Sequence, residues 1–341
     1  MLYSLQPSPI FSFLSPIYGA IVRLRNYCYE KHLFPSYQST LPVICVGNIT
    51  VGGSGKSPFV RYVAELFQRE GKRPVILSRG YGGKIKQPHL VTAADAVELI
   101  GDEARMQFLA IGTRIPIVLA PQRVEGAKFI EKHSLGDVIL LDDGFQHLAL
   151  SRNINLLLLD VSSTTSMNRW LKGCLLPGGW LRESLSEGIK RAQALIYISK
   201  SLDETAFPLS PENSKIPHFR FQFQPKEFRE LCSDEAVPIT KFQKHNSVAL
   251  TAIAQPESFF ALLRGLQINI QEERVLPDHA FFQAADIQMT SEAAILCTEK
   301  DATKLRSLIS QAGKAYYLKL EGKFVSENDE RAFLGFLEAQ L

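Results

Sequence analysis

A glycine-rich run near residue 50 has the residue types and the order that bind phosphate. It reads Val46-Gly47-Asn48-Ile49-Thr50-Val51-Gly52-Gly53-Ser54-Gly55-Lys56-Ser57-Pro58. Glycines let the backbone curl so that its N–H groups face phosphate oxygens, and Lys56 can neutralise charge on the β- and γ-phosphates. Ser57 can bind Mg²⁺, and a helix that begins near Pro58 would favour an anion further. The strict motif has glycine where this chain has Thr50, so a glycine-rich turn without a ligand is the alternative.

A second candidate for phosphate chemistry is a pair of aspartates that follows an apolar run. Asp142 and Asp143 come directly after Val138-Ile139-Leu140-Leu141. A buried strand that ends in a carboxylate suits a nucleotide-bound Mg²⁺, because the carboxylate then lies at the carboxyl edge of the sheet. Taken alone, the pair is better explained by a solvated turn. Together with the glycine-rich run it predicts a Mg-nucleotide site held by Ser57 and by Asp142 or Asp143.

Strands and helices alternate through the first two thirds of the chain, and this alternation would position both motifs. Continuous apolar runs predict buried strands at residues 42–46, 75–77, 115–120, 138–141, 154–159 and 195–198. Amphipathic spacing predicts helices at residues 59–70, 103–110 and 123–133. This order is typical of an α/β protein whose parallel sheet is covered by helices on both faces. Ligands of such sheets bind beyond the carboxyl ends of the strands.

A polar segment with three prolines, at residues 200–217, predicts a domain boundary. Residues 218–224 then alternate strictly between polar and apolar, which indicates a half-buried strand. A smaller α/β unit should follow, with strands at 248–253, 294–298 and 315–320 and a helix near 329–340. The expected divisions are an N-terminal segment 1–40, a nucleotide-binding domain 41–217 and a C-terminal domain 218–341.

The N-terminal segment carries an apolar stretch without a charged side chain at residues 2–22, followed by Arg23 and Arg25. Prolines interrupt it, whereas a spanning helix needs about 20 predominantly apolar residues, and it lacks the features of a signal peptide. We predict that the segment lies in a membrane interface. The side chains expected at the acyl boundary are Phe11, Phe13, Leu14, Ile17, Tyr18 and Ile21, with Arg23 and Arg25 at anionic headgroups. A helix packed on the protein itself is the alternative.

Composition and charge exclude several classes of protein. The 341 residues are 45% hydrophobic and 21% charged with a net charge of +3, which excludes a disordered chain, a collagen-like repeat and a polytopic membrane protein. A charge so near zero predicts no nucleic acid partner, and no obligate protein partner is evident. The five cysteines are scattered and form no CxxC pair, so they predict a reducing compartment without disulfides or structural zinc. Cys45 and Cys297 are predicted to be small core residues.

Further unusual strings are spread along the chain. They are Leu77-Ser78-Arg79-Gly80-Tyr81-Gly82-Gly83, Gly101-Asp102-Glu103, Asp142-Asp143-Gly144-Phe145-Gln146-His147, Leu175-Leu176-Pro177-Gly178-Gly179-Trp180-Leu181-Arg182-Glu183, Asp278-His279 and Thr298-Glu299-Lys300-Asp301-Ala302. With the glycine-rich run, they resemble the tetraacyldisaccharide 4'-kinases, the lipid A kinases of Gram-negative bacteria. That family has threonine at the position of Thr50. Ser54 and Ser57 replace its more frequent threonines, and residues 251–256 match its Ala-Gly-Ile-Gly-Asn-Pro only loosely.

The resemblance implies a P-loop fold and transfer of the γ-phosphate of ATP to the 4'-hydroxyl of tetraacyldisaccharide 1-phosphate, which yields lipid IVA. It also implies Mg²⁺ and a place on the cytoplasmic face of the bacterial inner membrane. Residues implied to bind the nucleotide are Asn48, Thr50, Val51, Gly52, Gly53, Ser54, Gly55, Lys56, Ser57 and Arg123. Residues implied to bind the lipid are Arg79, Tyr81, Gln146, His147 and Glu183.

By the same resemblance, catalysis belongs to Asp102 and His279 with Lys56. A carboxylate and an imidazole are suited to receiving the proton of a sugar hydroxyl. Without the resemblance, Asp102 is more simply a residue stabilised at a helix N-terminus, and His279 an ordinary loop or core histidine. Because the pair spans the two predicted domains, we expect the domains to close over both substrates.

Two other functions fit parts of the sequence. An ATP-dependent ligase would use the same phosphate loop, but no string requires a pocket for an amine or thiol substrate. A membrane-attached nucleotide switch would read guanine through Asn-Lys-x-Asp, and the nearest string is Thr298-Glu299-Lys300-Asp301. A lipid kinase should turn over only with a micellar acceptor, whereas a switch should hydrolyse nucleotide without lipid.

Overall fold

The computed structural model describes residues 9–52, 55–200, 216–278, 280–288, 293–309 and 314–341. Its strands are β1 (Val43–Gly47), β2 (Pro74–Ser78), β3 (His89–Leu90), β4 (Ile117–Leu119), β5 (Val138–Asp142), β6 (Ile154–Asp160), β7 (Ala194–Ser199), β8 (His218–Glu230), β9 (Ala236–Val237), β10 (Ser247–Thr251), β11 (Ile270–Val275), β12 (Ala294–Thr298) and β13 (Ala315–Phe324). Its helices are α1 (Ser15–Glu30), α2 (Lys56–Arg69), α3 (Val97–Ile100), α4 (Asp102–Ile111), α5 (Arg123–Lys132), α6 (Thr164–Leu171), α7 (Leu185–Arg191), α8 (Thr240–Lys244), α9 (Pro256–Gly265), α10 (Glu299–Leu305) and α11 (Glu327–Gln340).

The strands form one continuous sheet in the order β11-β10-β12-β13-β8-β7-β6-β1-β5-β2-β4-β3, with β9 beside β8. Neighbours from β8 through β7, β6, β1, β5 and β2 to β4 are parallel. Neighbours from β11 to β13 are parallel as well, and only the β8–β13 pair and the short β3 and β9 pairings are antiparallel. The predicted α/β class with a largely parallel sheet is therefore confirmed.

Strand β8 joins the two halves of this sheet. Its residues 218–222 pair with β7, and its residues 221–230 pair with β13. Phe221 and Gln222 therefore pair with β7 on one side and with β13 on the other. The sheet runs through the predicted boundary at residue 217, so the division into domains 41–217 and 218–341 remains a prediction.

Side chains of β1 show why its sequence is apolar at every position. Ile44 and Val46 pack into the core on one face of the sheet, and Val43 and Cys45 pack into the core on the other. Helices cover both faces, so alternation between polar and apolar residues would place polar groups in a core. Cys45 and Cys297 are buried and none of the cysteines is in a disulfide, as the sequence predicts.

Helix α1 packs on the protein through small and polar residues, and its apolar side chains point outward. Ser15 and Gly19 are buried, whereas Ile17, Ile21 and Leu24 are exposed. The Ser15 hydroxyl donates to the Leu175 carbonyl oxygen at 2.7 Å. Among the described parts of the chain, no helix has both the length and the hydropathy that crossing a membrane requires.

Two predictions about the N-terminal segment are wrong. The Tyr18 hydroxyl donates to the Arg182 carbonyl oxygen at 3.0 Å, and the Arg25 guanidinium donates to the Gln146 carbonyl oxygen. Both side chains therefore face the protein and not an acyl boundary or a headgroup layer. The reason is helical geometry, since positions 15, 18, 19, 22, 25 and 26 lie on one face of a helix.

Replacing Phe221 should test how strongly the two halves of the sheet are joined. Its ring contacts the rings of Phe59, Tyr62, Phe223 and Phe324, and it is fully buried. We expect Phe221→Ala to lower the free energy of unfolding by about 3–5 kcal/mol, because it leaves a cavity. Urea denaturation followed by circular dichroism measures this. The control is Phe13→Ala, whose ring is exposed, and an equal loss in both variants would contradict the packing.

Candidate active site

A cavity of about 690 Å³ lies between the two halves of the molecule. Residues that follow β1, β2 and β5 line it from one side, and residues that follow β10 and β12 line it from the other. The predicted site residues on its wall are Val51, Gly52, Gly55, Lys56, Ser57, Arg79, Tyr81, Arg123, Asp142, Asp143, Gln146 and His147. Apolar side chains of the second half, among them Phe223, Phe259 and Leu262, complete the wall.

The glycine-rich loop leads from β1 into α2, as its motif predicts. Gly55 precedes α2 with a φ of +77°, a left-handed conformation that glycine adopts without strain, and Lys56 begins the helix. The Val51 N–H donates to the Trp180 carbonyl oxygen at 2.9 Å, so the segment around Trp180 supports the loop. The predicted ligands Gly53 and Ser54 lie outside the described residues.

Three predicted ligands, Asn48, Thr50 and Glu183, are not among the residues that line this cavity. Asn48 is buried and its Nδ2 donates to Thr50 Oγ1 at 3.0 Å. Glu183 is buried as well, and accepts hydrogen bonds from Gln146 Nε2 at 2.9 Å and from Arg191. These contacts support the glycine-rich loop and Gln146, both of which contribute to the cavity wall. Direct binding of nucleotide or lipid by Asn48, Thr50 and Glu183 remains a prediction.

Asp142 is a buried carboxylate with few neighbouring groups that stabilise its negative charge. Gln107 Nε2 donates to its Oδ2 at 2.8 Å, and its Oδ1 accepts no hydrogen bond of normal geometry within the described residues. Burial raises the pKa of Asp142 to about 6, with the charges of Glu103 and Asp143 adding to the rise and Ser57 opposing it. Because an ionised group with an unused oxygen is costly to bury, Asp142 is suited to a cation.

Asp143 has the opposite environment. Arg182 Nη1 lies 2.9 Å from its Oδ1 and 3.1 Å from its Oδ2, and Lys56 Nζ lies 3.6 Å from Oδ1. Burial favours a higher pKa, but Arg182 and Lys56 outweigh burial and hold the pKa of Asp143 well below its usual range. Arg182 received no role from the sequence, although it stands in the string that ends at Glu183.

Asp102 begins α4 and is buried, and two lysines of α10 reach it. Lys300 Nζ lies 3.8 Å and Lys304 Nζ 3.6 Å from Asp102 Oδ2. Its neighbours Glu103, Asp278 and Lys300 line the cavity. His279 lies outside the described residues. The sequence analysis assigned no role to Lys300 and did not single out Lys304. Lys300 stands in the string 298–302, which follows an apolar strand directly, and Lys304 lies one helical turn beyond Lys300.

Ser57, Asp142 and Asp143 fit a magnesium ion that arrives with a nucleotide. No three His, Cys, Asp or Glu side chains of the described chain form a ready-made ion site. A nucleotide-bound Mg²⁺ needs only one or two carboxylates, because phosphates and water supply its other ligands. The unused Oδ1 of Asp142 beside Ser57 meets that need.

Cationic side chains cluster on the wall beside Asp143. They are Arg25, Arg79, Arg123 and Arg182. Burial lowers the pKa of Arg123 to about 10, so its guanidinium keeps its charge at neutral pH. Burial and the charge of Arg123 lower the pKa of His147 to about 4, so this imidazole is neutral and can only give or accept a hydrogen bond. The cluster is suited to binding phosphate groups.

Comparison with known proteins gives a consistent result. The family model described as tetraacyldisaccharide-1-P 4'-kinase matches residues 8–340. The tetraacyldisaccharide 4'-kinase of Francisella tularensis subsp. novicida is 34% identical over 308 residues, which cover 89% of this chain and 93% of that protein. The enzyme of the same name from Francisella philomiragia is 36% identical over 303 residues, covering 88% and 89%.

A solved structure has a similar fold over almost the whole length of this chain. It is the crystal structure of the "apo" form of LpxK from Aquifex aeolicus in complex with ATP. The two structures superimpose with a TM-score of 0.76 at 29% sequence identity, covering 95% of this chain and 97% of that one.

The pKa of Asp142 predicts an unusual dependence of stability on pH. Because its folded pKa of about 6 exceeds the ordinary value of 3.8, ionisation of Asp142 destabilises the metal-free fold as the pH rises through that interval. In EDTA at about pH 7.5, Asp142→Asn should therefore raise the free energy of unfolding by up to about 3 kcal/mol, and the gain should shrink at about pH 5. Urea denaturation at both pH values measures it.

The matched control for that experiment is Asp143→Asn. Arg182 and Lys56 stabilise the Asp143 carboxylate, so this variant should be less stable than the wild-type protein at about pH 7.5. A loss of stability in Asp142→Asn at that pH would show that the Asp142 pKa is not raised.

Proposed function

The chain belongs to the tetraacyldisaccharide-1-P 4'-kinase family, and from that membership we propose how its cavity carries out the reaction. The protein transfers the γ-phosphate of ATP to the 4'-hydroxyl of tetraacyldisaccharide 1-phosphate and so forms lipid IVA. Membership of this family argues against the ligase and the nucleotide switch. The observation that supports the mechanism is the cavity itself, which places the glycine-rich loop opposite the residues around Asp102.

The glycine-rich loop is proposed to bind the phosphates of ATP as a P-loop. Val51, Gly52 and Gly55 line the cavity, and the N–H groups at the start of α2 provide an anion site. Lys56 lies at that helix start with its ammonium group beside Asp143. This position suits it to neutralising charge that develops on the transferred phosphoryl group.

Asp142 and Ser57 are proposed to hold Mg²⁺, with Asp143 in support. When bound, the ion would supply positive charge that neutralises the phosphates during transfer. Asp142 has the unused oxygen, whereas both oxygens of Asp143 already bind Arg182. We therefore assign direct coordination to Asp142. Asp143 keeps Lys56 and Arg182 in place.

Asp102 and His279 are proposed to receive the proton of the 4'-hydroxyl. As that proton leaves, the hydroxyl oxygen bonds to the γ-phosphorus and the bond to the β-phosphate oxygen breaks, which releases ADP. Asp102 is buried, and the ammonium groups of Lys300 and Lys304 lie 3.8 Å and 3.6 Å from its Oδ2. Glu103 and Asp278 next to it line the cavity that would hold the sugar.

The cationic wall is proposed to bind phosphate groups of the two substrates. The negative charge of Asp143 raises the pKa of Arg123 and the positive charge of Arg79 lowers it, so the guanidinium of Arg123 lies within reach of both charges. Arg79, Tyr81 and Gln146 also line the cavity, and we assign them to the lipid headgroup. His147 is assigned a neutral hydrogen-bonding role because its pKa is low.

The outward face of α1 is proposed to lie in the membrane interface that contains the lipid substrate. Ile17, Ile21 and Leu24 are 59%, 62% and 64% exposed, and Ile10 and Phe13 extend the surface. Such a contiguous apolar surface is costly in water and favourable at an acyl boundary. Since the donor is ATP, the proposed location is the cytoplasmic face of the bacterial inner membrane.

A labelling experiment tests the kinase mechanism. The protein is incubated with γ-labelled ATP, Mg²⁺ and tetraacyldisaccharide 1-phosphate in detergent micelles, and label on the lipid is measured. We expect Lys56→Ala and Asp102→Ala to lower kcat by at least about 100-fold, because each removes a group that acts in the transition state. Omission of Mg²⁺ should abolish transfer.

The control is Lys72→Ala, an exposed lysine beyond the end of α2. It should keep the wild-type rate. Release of labelled phosphate without lipid would point to a nucleotide hydrolase, and full transfer by Asp102→Ala would remove Asp102 from the chemistry.

Vesicle flotation tests the membrane proposal. We expect Ile17→Asp/Ile21→Asp to lower binding to anionic phospholipid vesicles by at least about tenfold, because each isoleucine contributes about 1.5–3 kcal/mol when buried. Val275→Asp, at an exposed apolar position of β11, is the matched control. Unchanged flotation of the double variant would mean that α1 does not bind the membrane.

A further inference from the structure

Helix α10 is anchored by a buried carboxylate in its first turn. Asp301 is fully buried and accepts hydrogen bonds from Thr251 Oγ1 at 2.7 Å, Ala252 N at 3.1 Å and Thr298 Oγ1 at 2.7 Å. Thr298 also accepts from the Asp301 N–H and so caps the helix. These bonds tie the start of α10 to the end of β10, and they set the direction in which its side chains point.

From this anchor, α10 presents two lysines one turn apart to the other half of the molecule. Lys300 Nζ and Lys304 Nζ lie 3.8 Å and 3.6 Å from the same atom, Asp102 Oδ2. The Lys304 side chain is only 1% exposed. A buried ammonium group is retained where it is paired and hydrogen-bonded, and Asp102 provides the pairing. Glu299, beside them, extends the contact to α2 through Arg61 at 3.1 Å.

The same two lysines hold the chain on both sides of position 279. Lys304 Nζ donates to the Ala280 carbonyl oxygen at 2.9 Å. Lys300 Nζ lies 3.6 Å from Asp278 Oδ1. Each ammonium group therefore contacts Asp102 with one part of its surface and a neighbour of residue 279 with another. Loss of either would release one of these connections across the cavity.

We propose that Lys300 and Lys304 are positioning residues that connect Asp102 to Asp278 and Ala280, the described neighbours of residue 279. This rests on the proposed function, in which Asp102 and His279 receive the proton. Neither lysine gives or takes a proton in the reaction. Each fixes the geometry of the groups that do, and Asp301 fixes the helix that carries them. Displacements of about 1 Å in such an arrangement can cost about 100-fold in rate.

Kinetics of lysine variants test the proposal. Lys300→Met and Lys304→Met keep most of the aliphatic stem and remove the charge. In the micellar assay, kcat should fall by about 10- to 100-fold, and KM for ATP should stay within about twofold, because the glycine-rich loop is untouched. Lys300→Arg, which restores a cation, should recover part of kcat. Lys323→Met, at an exposed lysine of β13, is the control and should keep the wild-type kcat.

A double-mutant cycle separates positioning from a general loss of structure. In an Asp102→Asn background, over long incubations, Lys304→Met should change kcat by no more than about twofold, because the connection that Lys304 makes between Asp102 and Ala280 is already broken at Asp102. Additive losses, or wild-type kcat in both single variants, would overturn the proposal. If Lys304→Met does not fold, Lys300→Met with Asp102→Asn decides by the same criteria. Failure of the wild-type protein to label the lipid would instead overturn the proposed function.

Discussion

A buried carboxylate needs a cation or hydrogen-bond donors because water cannot solvate it, and at this site Asp102 and Asp142 are buried while Asp143 is half-buried. Asp143 obtains Arg182 and Lys56, and Asp102 obtains two lysines from across the cavity. Asp142 obtains only part of what it needs, and its pKa rises as a result. The two aspartates at the end of β5 therefore differ in environment although they are adjacent: Asp143 binds neighbouring cations, and Asp142 keeps an oxygen without a hydrogen bond among the described residues.

Much of the site was predictable from the sequence, because its parts follow local rules. A glycine-rich run between a buried strand and a helix placed Lys56 and Ser57, and an apolar strand ending in acid placed Asp142 and Asp143 at the same cavity. Pairings across the fold were not predictable in this way. Which cations would reach Asp143 or Asp102 depends on how distant elements pack, and no spacing in the sequence encodes that contact.

In the fold, too, local sequence patterns predicted individual elements but not the contacts between elements that are distant in the chain. Apolar runs located β1, β2, β4, β5, β6, β7, β10, β12 and β13, since a strand covered on both faces must be apolar throughout. They did not locate β3, β9 and β11, whose residues are half-buried or exposed. The joining of those halves through a two-residue overlap in β8 is a matter of register, which the alternating pattern at 218–224 leaves open. For α1, the sequence identified apolar side chains that are exposed, such as Ile17 and Ile21, but not the small and polar side chains through which the helix packs on the protein. Ser15 and Gly19 face inward because small side chains allow a close approach to the segment around Leu175.

The contacts of α1 carry a consequence for where the chemistry takes place relative to the bilayer. Tyr18 and Arg25 bind the main chain of Arg182 and Gln146, and Arg182 binds Asp143. The helix proposed to lie in the membrane interface is thus connected to Asp143 through two successive hydrogen bonds, from Tyr18 to Arg182 and from Arg182 to Asp143. If α1 lies in the membrane interface, this connection sets the distance between the phosphate donor and the acyl chains of the bilayer. The sugar hydroxyl of a lipid that stays in the bilayer also lies at a set distance from the acyl chains. The hydroxyl and the phosphate donor can then meet while the acyl chains remain in the membrane.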